Sequence, residues 1–339
     1  MNTNLLTLLS KQLGRTAASE LVSLMHMSSK FRIWEEGRVA RAELAQALNM
    51  LLFAGVLQRV PSGKAYTEDV VAAGGKVMLD HGALRTVRWF GSGDLPPGEA
   101  AVTRILKPLG YQLNGVYPLD RLNMTGRSYA HLDDAENISQ FFVSELHPER
   151  FSPAFQQAVA RVLGSSSDPL SPAAFSLLNE LERDGSLSLE QAHQLLPVLV
   201  ACFARQHQIP ALADYEILLA ESAEMAWIAT EGNVFNHATD RVPDVVATAA
   251  RQQQLGRAIK EKVEISGSGR VRQTAFRADR VQRELRAADG SLVVRTVPGS
   301  FYEFISRDRL PQPAGAEAGL DLGFDAGNAQ GIFKMTAHA

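Results

Sequence analysis

The sequence predicts an α+β protein in which two β-α-β-β-β modules form a curved sheet, preceded by a helical region and separated by a helical insert. Three observations predict it. Apolar residues recur at helical spacing before residue 57 and again between 152 and 230. Short strands punctuated by Gly and Pro take over near residue 70 and return after Gly232. Both strand-rich stretches open on the same local pattern, an internal echo of the kind a duplicated module leaves.

In the helical region, residues 1–75, three or four helices are marked by Leu5, Leu8 and Leu9, by Leu21, Leu24 and Met25, and by Leu44, Leu48, Leu51 and Leu52. Gly14 and Gly37 break them. The helix over 41–56 is followed by Arg59-Val60-Pro61-Ser62-Gly63-Lys64-Ala65-Tyr66, which reads as an ordinary hairpin. A winged DNA-binding module would place its wing there, but no basic cluster runs through 44–64 to meet phosphates. The first module, 76–150, has strands at 79–90 and 141–145 and a helix over 99–109.

The helical insert, 151–230, carries a loop at 164–168, a break at Asp184-Gly185-Ser186 and a buried run at 196–203. The second module and closing C-terminal segment, 231–339, show strands at 234–242, 261–265, 270–276, 292–297 and 301–306, with a helix over 244–255. Ser266-Gly267-Ser268-Gly269-Arg270 is a hairpin turn. It lacks the Lys-Ser/Thr ending and following helix that a phosphate cradle needs. Trp34, Trp89 and Trp227 are expected as core or interface anchors.

Composition narrows the function classes. With 34 Lys plus Arg against 37 Asp plus Glu, the net charge of −3 creates no field to recruit nucleic acid or anionic lipid. The longest apolar run, around 195–204, is half of what spans a bilayer. One cysteine, Cys202, allows no internal disulfide, and no basic n-region precedes the apolar residues 5–9. A cytoplasmic protein acting on a small molecule is the expectation.

The echo carries the chemistry. Asp80-His81-Gly82-Ala83-Leu84-Arg85 opens one module and Asn236-His237-Ala238-Thr239-Asp240-Arg241 the other, each reading polar-His-x-x-x-Arg. Side chains alternate across a strand, so each His shares a face with its Arg. Pseudo-symmetric strands would bring the two imidazoles together. Glu303 stands among apolar and aromatic residues in Gly299-Ser300-Phe301-Tyr302-Glu303-Phe304-Ile305-Ser306-Arg307, and a buried carboxylate needs a partner. A divalent ion on His81, His237 and Glu303 would satisfy all three, as the facial triad of non-haem iron(II). The plainer reading of each residue is an ordinary hydrogen-bonded side chain; the coincidence of the three favours the ion. His131, in Tyr129-Ala130-His131-Leu132, is the reserve ligand. Arg85 lies about 13 Å along the strand from His81, a spacing suited to gripping the far carboxylate of a dicarboxylic acid. Arg241 and Arg307 have the same offset from their own ligands and rank below it.

At these residues the sequence resembles the 2-oxoadipate dioxygenase/decarboxylase family. The resemblance runs through His81-Gly82-Ala83-Leu84-Arg85, Phe141-Phe142-Val143-Ser144-Glu145-Leu146, residues 232–242 and Phe301-Tyr302-Glu303-Phe304-Ile305, and covers most of the chain after residue 20. It implies the vicinal-oxygen-chelate fold, similar to that of 4-hydroxyphenylpyruvate dioxygenase, and Fe(2+) held by His81, His237 and Glu303. It also implies that Arg85 holds the distal carboxylate of a 2-oxo acid that reacts with O2, 2-oxoadipate giving 2-hydroxyglutarate and CO2 as in lysine catabolism. Residues 323–333 resemble the closing segment of such enzymes. Two rival readings remain: a metal-dependent isomerase or lyase on the same fold using Zn or Mn, and a metabolite-sensing regulator whose N-terminal helices bind DNA.

Overall fold

The computed structural model describes residues 3–28, 37–311 and 319–333; Trp34 and the tail His338 lie outside them. Its centre is an eight-stranded sheet, curled into a half-barrel. The first module supplies β2 (Leu79–Val87), α5 (Ala100–Leu106), β3 (Tyr111–Leu119), β4 (Met124–His131) and β5 (Gln140–Leu146). The second supplies β7 (His237–Arg241), α11 (Val245–Gln254), β8 (Glu264–Ile265), β9 (Val271–Ala275) and β12 (Phe301–Arg307). The order β3-β4-β5-β2-β7-β12-β9-β8 is two equivalent quartets joined back to back. β2 runs parallel to β5, β7 parallel to β12, and the quartets meet in the antiparallel pair β2–β7. The duplicated architecture expected from the echo is therefore present.

The helical region contains α1 (Asn4–Leu13), α2 (Arg15–Leu24), α3 (Arg41–Arg59) and α4 (Pro61–Ala72). Gly14 separates the first two at φ 80°, a left-handed backbone that a side chain would strain. The expected hairpin after Arg59 is instead α4. Pro61 occupies its first turn, where the missing N–H costs nothing. Gly63 is there for close approach, since a Cβ would lie 2.7 Å from Tyr302 Cδ2. That helix occupies the place of a wing.

The insert folds as α6 (Pro153–Leu163), α7 (Pro172–Asp184), β6 (Ser186–Ser188), α8 (Leu189–Cys202), α9 (Leu212–Glu221) and α10 (Ala223–Glu231). β6 pairs with β1 (Arg38–Ala40), tying insert to helical region. Helix α10 is buried along its whole length, and Trp227 on it donates its indole N–H to Gly299 O. No described helix is long and apolar enough to cross a membrane.

A second difference concerns residues 292–297, expected in the sheet. β11 (Leu292–Pro298) pairs only with β10 (Arg280–Arg286), as a separate ribbon between β9 and β12. Its strands bury Leu285 and Val297 and leave Arg280, Gln282, Glu284 and Arg286 exposed. Arg283, on the same side as Leu285, hides the alternation in β10. Ser266 to Arg270 form the expected turn between β8 and β9.

Gly82 sits in the central strand, where an added Cβ would lie 2.0 Å from Phe235 Cε2 in the core. Gly82→Ala is expected to lower stability by about 1–3 kcal/mol through overpacking, read as a reduced urea midpoint with unchanged slope.

Candidate metal centre

Register alone brings three polar side chains together. His81 on β2 faces Thr239 on β7, and Thr239 faces Glu303 on β12, so the three form one row across the sheet. His237 lies two residues before Thr239, on the same face and opposite Ala83. His81 Nε2 and His237 Nε2 approach Glu303 Oε2 to 3.3 and 3.2 Å. Thr239 donates its hydroxyl to the same oxygen at 2.6 Å. One potential ligand atom from each of His81, His237 and Glu303 lies within 4.8 Å of the others, and all three residues are buried.

The pseudo-two-fold explains why the set stops at three. It exchanges the pair His81–Thr239 with the pair His237–Ala83. The residue on β5 that faces Ala83, as Glu303 faces Thr239, is Phe142. No second carboxylate stands at the position equivalent to Glu303. A cavity opens beside the two imidazoles and the carboxylate, with Ala83, Phe142 and Phe324 as its apolar border and Ser144, Asn236, Gln273 and Asp325 as its polar one.

Around the row, the sheet is modified to orient His81. A bulge between Leu79 and His81 leaves Asp80 outside the register. Asp80 Oδ1 accepts the His81 Nδ1–H at 2.9 Å. That places a proton on Nδ1 and leaves Nε2 facing Glu303, where its lone pair would be available to an ion. Arg307 binds Asp80 through two parallel hydrogen bonds of 2.9 Å, and Arg241 adds a third at 2.9 Å. Burial pushes the Asp80 carboxyl upward, but Arg307, His81 and Arg241 together hold it well below the usual range.

The electrostatics suit a cation. Burial works to raise Glu303, yet the two histidines bring it below the normal carboxylate range. His81 is raised despite burial, by Asp80 and Glu303. His237 is lowered, chiefly by burial, and therefore favours the neutral ring that ligates a metal. Its ring stacks on Phe301 with centroids 4.7 Å apart. Among the described residues, Glu303 Oε1 and His237 Nδ1 are buried without a hydrogen-bond partner. A site with two imidazoles, one ionised carboxylate and an unsatisfied oxygen fits a divalent first-row ion.

The other sequence candidates separate clearly. His131, the reserve ligand, is excluded: Nε2 lies 2.7 Å from Leu109 O and Nδ1 accepts from the Asp133 amide at 3.1 Å, so both nitrogens serve the backbone. Arg241 and Arg307 serve Asp80. Arg85 is fully buried on the same face as Ala83, with Ser144 as its register partner, and its guanidinium lies 4.9 Å from the Trp227 ring centroid. It does not border the cavity itself. Burial lowers it to about 10, opposed by Glu224. Sequence reasoning missed Asp80 as an orienting group, although it is the polar residue of the first echo, and missed Thr239 and Phe324.

On the opposite face of β7, Asp240 accepts from Tyr66 Oη at 2.7 Å and from the Met78 amide at 2.9 Å. Burial raises it to about 7, and its two donors only partly offset that. The folded protein therefore holds a proton there that the unfolded chain releases near pH 4, so this group's stabilisation is lost as pH rises toward 7. Asp240→Asn is expected to gain about 2 kcal/mol relative to the parent between pH 5 and pH 7, measured by urea unfolding at each pH.

The chain is similar to several known proteins. A protein from Ralstonia eutropha JMP134, named as a glyoxalase superfamily member, is 62% identical with TM-score 0.91, over 96% of this chain and 99% of its own. Hydroxyglutarate synthase from Oryza sativa, in complex with 2-oxoadipate, shares the fold at 19% identity and TM-score 0.68, over 88% of this chain and 93% of its own. The Pseudomonas putida hydroxyglutarate synthase does so at 19% identity and TM-score 0.55, over 87% and 73%. No curated protein matches the chain. Residues 52–319 match the 2-oxoadipate dioxygenase/decarboxylase family, and the chain belongs to that family.

Proposed function

We propose that the protein is an iron(II)-dependent dioxygenase that decarboxylates a dicarboxylic 2-oxo acid, 2-oxoadipate first among them. 2-Oxoadipate and O2 would give 2-hydroxyglutarate and CO2. The observation that carries the reading is the convergence of His81, His237 and Glu303 at the border of a cavity, in a chain of this family. Cys202 as the only cysteine suits a reducing, cytoplasmic setting.

His81, His237 and Glu303 would hold the ion, and Phe142, at the position equivalent to Glu303, would add no further ligand. Iron(II) supplies the electron-transfer chemistry that lets O2 react with a closed-shell acid. C1 of the acid leaves as CO2, one oxygen of O2 enters the new carboxylate at C2, and the other becomes the hydroxyl at C3. Asp80 keeps the proton on His81 Nδ1 throughout, so His81 stays a ligand and takes no part as a base. Phe142 and Phe324 exclude water from the reacting carbons. Arg85, the register partner of Ser144 at the edge of the cavity, would anchor the far carboxylate once the substrate extends past that border. Trp227, fixed by its bond to Gly299 O, lies against the guanidinium and holds it in place.

A redox-inert ion on the same ligands would instead serve an isomerase or lyase, and the glyoxalase name of the 62% identical relative favours keeping that reading. Oxygen consumption separates the two. After anaerobic loading with Fe(II), 2-oxoadipate and O2 should disappear in equal amounts as CO2 forms. His81→Ala and Glu303→Ala should lose at least about 10³-fold in rate, the scale of removing an essential electrostatic element. Turnover without O2 uptake, or full activity in either variant, contradicts the proposal.

Arg85→Ala should keep the ion but raise KM for the dicarboxylate roughly 100-fold, the worth of two charge-assisted hydrogen bonds. Unchanged kinetics would remove its role.

A further inference from the structure

Arg307 has two sets of partners. Its side chain is fully buried four residues beyond Glu303 on β12, and its Nε and Nη2 go to Asp80. Its Nη1 donates to the carbonyls of Asp321 and Gly323, at 2.8 and 2.6 Å. Its guanidinium carbon lies 4.8 Å from the Phe324 ring centroid, and Phe324 in turn meets the His81 ring edge to face at 4.8 Å. One cation thus holds both the carboxylate that orients His81 and the backbone of the segment whose Phe324 and Asp325 border the cavity.

That segment, 319–325, is neither helix nor part of the main sheet. Its first residues are tied by a bridge between Leu320 and Arg309, by the Arg270–Asp321 ion pair at 2.8 Å and by the Leu320 amide on Glu136 Oε1 at 2.9 Å; residues 322–325 are held by fewer contacts. Asn114 Nδ2 and Gln140 Nε2 each reach Leu322 O at 3.2 Å. The Phe324 amide donates to Tyr117 Oη at 3.2 Å, and the Gly267 amide to Asp325 Oδ2 at 3.0 Å. Phe324 packs against Tyr117 and Phe142, but backbone without regular secondary structure opens locally more readily than the sheet beneath it. Arg307 divides its four hydrogen bonds evenly, two to Asp80 and two to the carbonyls of this segment.

We propose that Arg307 is a positioning residue that couples docking of this strap to metal binding at His81. The proposal rests on the metal reading above. An ion on His81 Nε2 makes its Nδ1–H a stronger donor, which fixes Asp80 and, through Asp80, the guanidinium that carries the strap. Coupling is reciprocal: whatever factor the ion adds to strap docking, the docked strap adds to ion affinity. The roof of the cavity therefore closes as the site is loaded, and the substrate passes the strap to reach it.

Hydrogen exchange of the full chain, with and without Mn(II) as the probe ion, tests this. In the parent protein the ion should slow exchange of the Gly323 and Phe324 amides at least tenfold. Arg307→Lys keeps the charge but cannot hold both partners, so its strap should exchange fast with or without ion. Its Mn(II) affinity should fall by the same factor as the protection it loses. A purely structural Arg307 predicts a fall in melting temperature but strap exchange indifferent to the ion. Should Arg307→Lys not fold, Phe324→Ala weakens the strap from the cavity side, and Mn(II) affinity should again fall tenfold. Ion binding with no change in strap exchange, or unchanged affinity in the folded variants, overturns the coupling and leaves the metal reading standing. No Mn(II) or Fe(II) binding by the parent protein overturns both.

Discussion

The antiparallel register of β2 with β7 is the constraint from which the rest follows. It sets His81 opposite Thr239 and His237 opposite Ala83. The parallel β7–β12 pairing then adds Glu303 to the first row. A shift of one residue in either pairing would send every one of these side chains to the other face. Such a shift is strongly opposed, because the alternate face carries Leu84, Ala238 and Phe304 into the main core. Burial on the core side therefore fixes the geometry on the cavity side. The sheet spends no local strain to assemble the polar row, apart from the bulge that frees Asp80.

Function comes from where the duplication fails. A perfect repeat would give two identical half-sites. Here Glu303 in one module corresponds to Phe142 in the other, Thr239 to Ala83 and Asp80 to Asn236. Two carboxylates and a hydroxyl thus stand on one side, and their counterparts Phe142, Ala83 and Asn236 border the cavity. The same asymmetry places Asp80 where Arg241 and Arg307 can neutralise it, so the buried charges form a connected chain. Asp80, Glu303 and the two arginines would each be costly alone, but paired and hydrogen-bonded they support a fixed His81 orientation.

Much of this was legible in the sequence. The two modules show through period-two apolar patterning and the repeated His-x-x-x-Arg, and the three polar residues show through their isolation in apolar strands. Three features were not legible, each for a physical reason. Pro61-Ser62-Gly63 looks like turn chemistry, but Gly63 is needed for close packing on Tyr302, a tertiary fact. Arg283, on the same side of β10 as Val281 and Leu285 and paired with Glu231, masks its alternation. The strap carries Phe324 to His81 without periodicity, and its position depends on hydrogen bonds donated by Arg307, Asn114 and Gln140 and accepted by Tyr117, which no local pattern announces. His131 illustrates the reverse: a strand histidine with plausible spacing is consumed by backbone partners on both nitrogens.

The central claim is that two imidazoles and one carboxylate from three strands share a single divalent ion. X-ray absorption of the protein loaded anaerobically with one equivalent of Fe(II) tests it most directly, with His237→Ala alongside. The account predicts a first shell of nitrogen and oxygen with the outer-shell scattering of two imidazoles, and of one in the variant. Iron that binds with the same imidazole scattering in both proteins would contradict it.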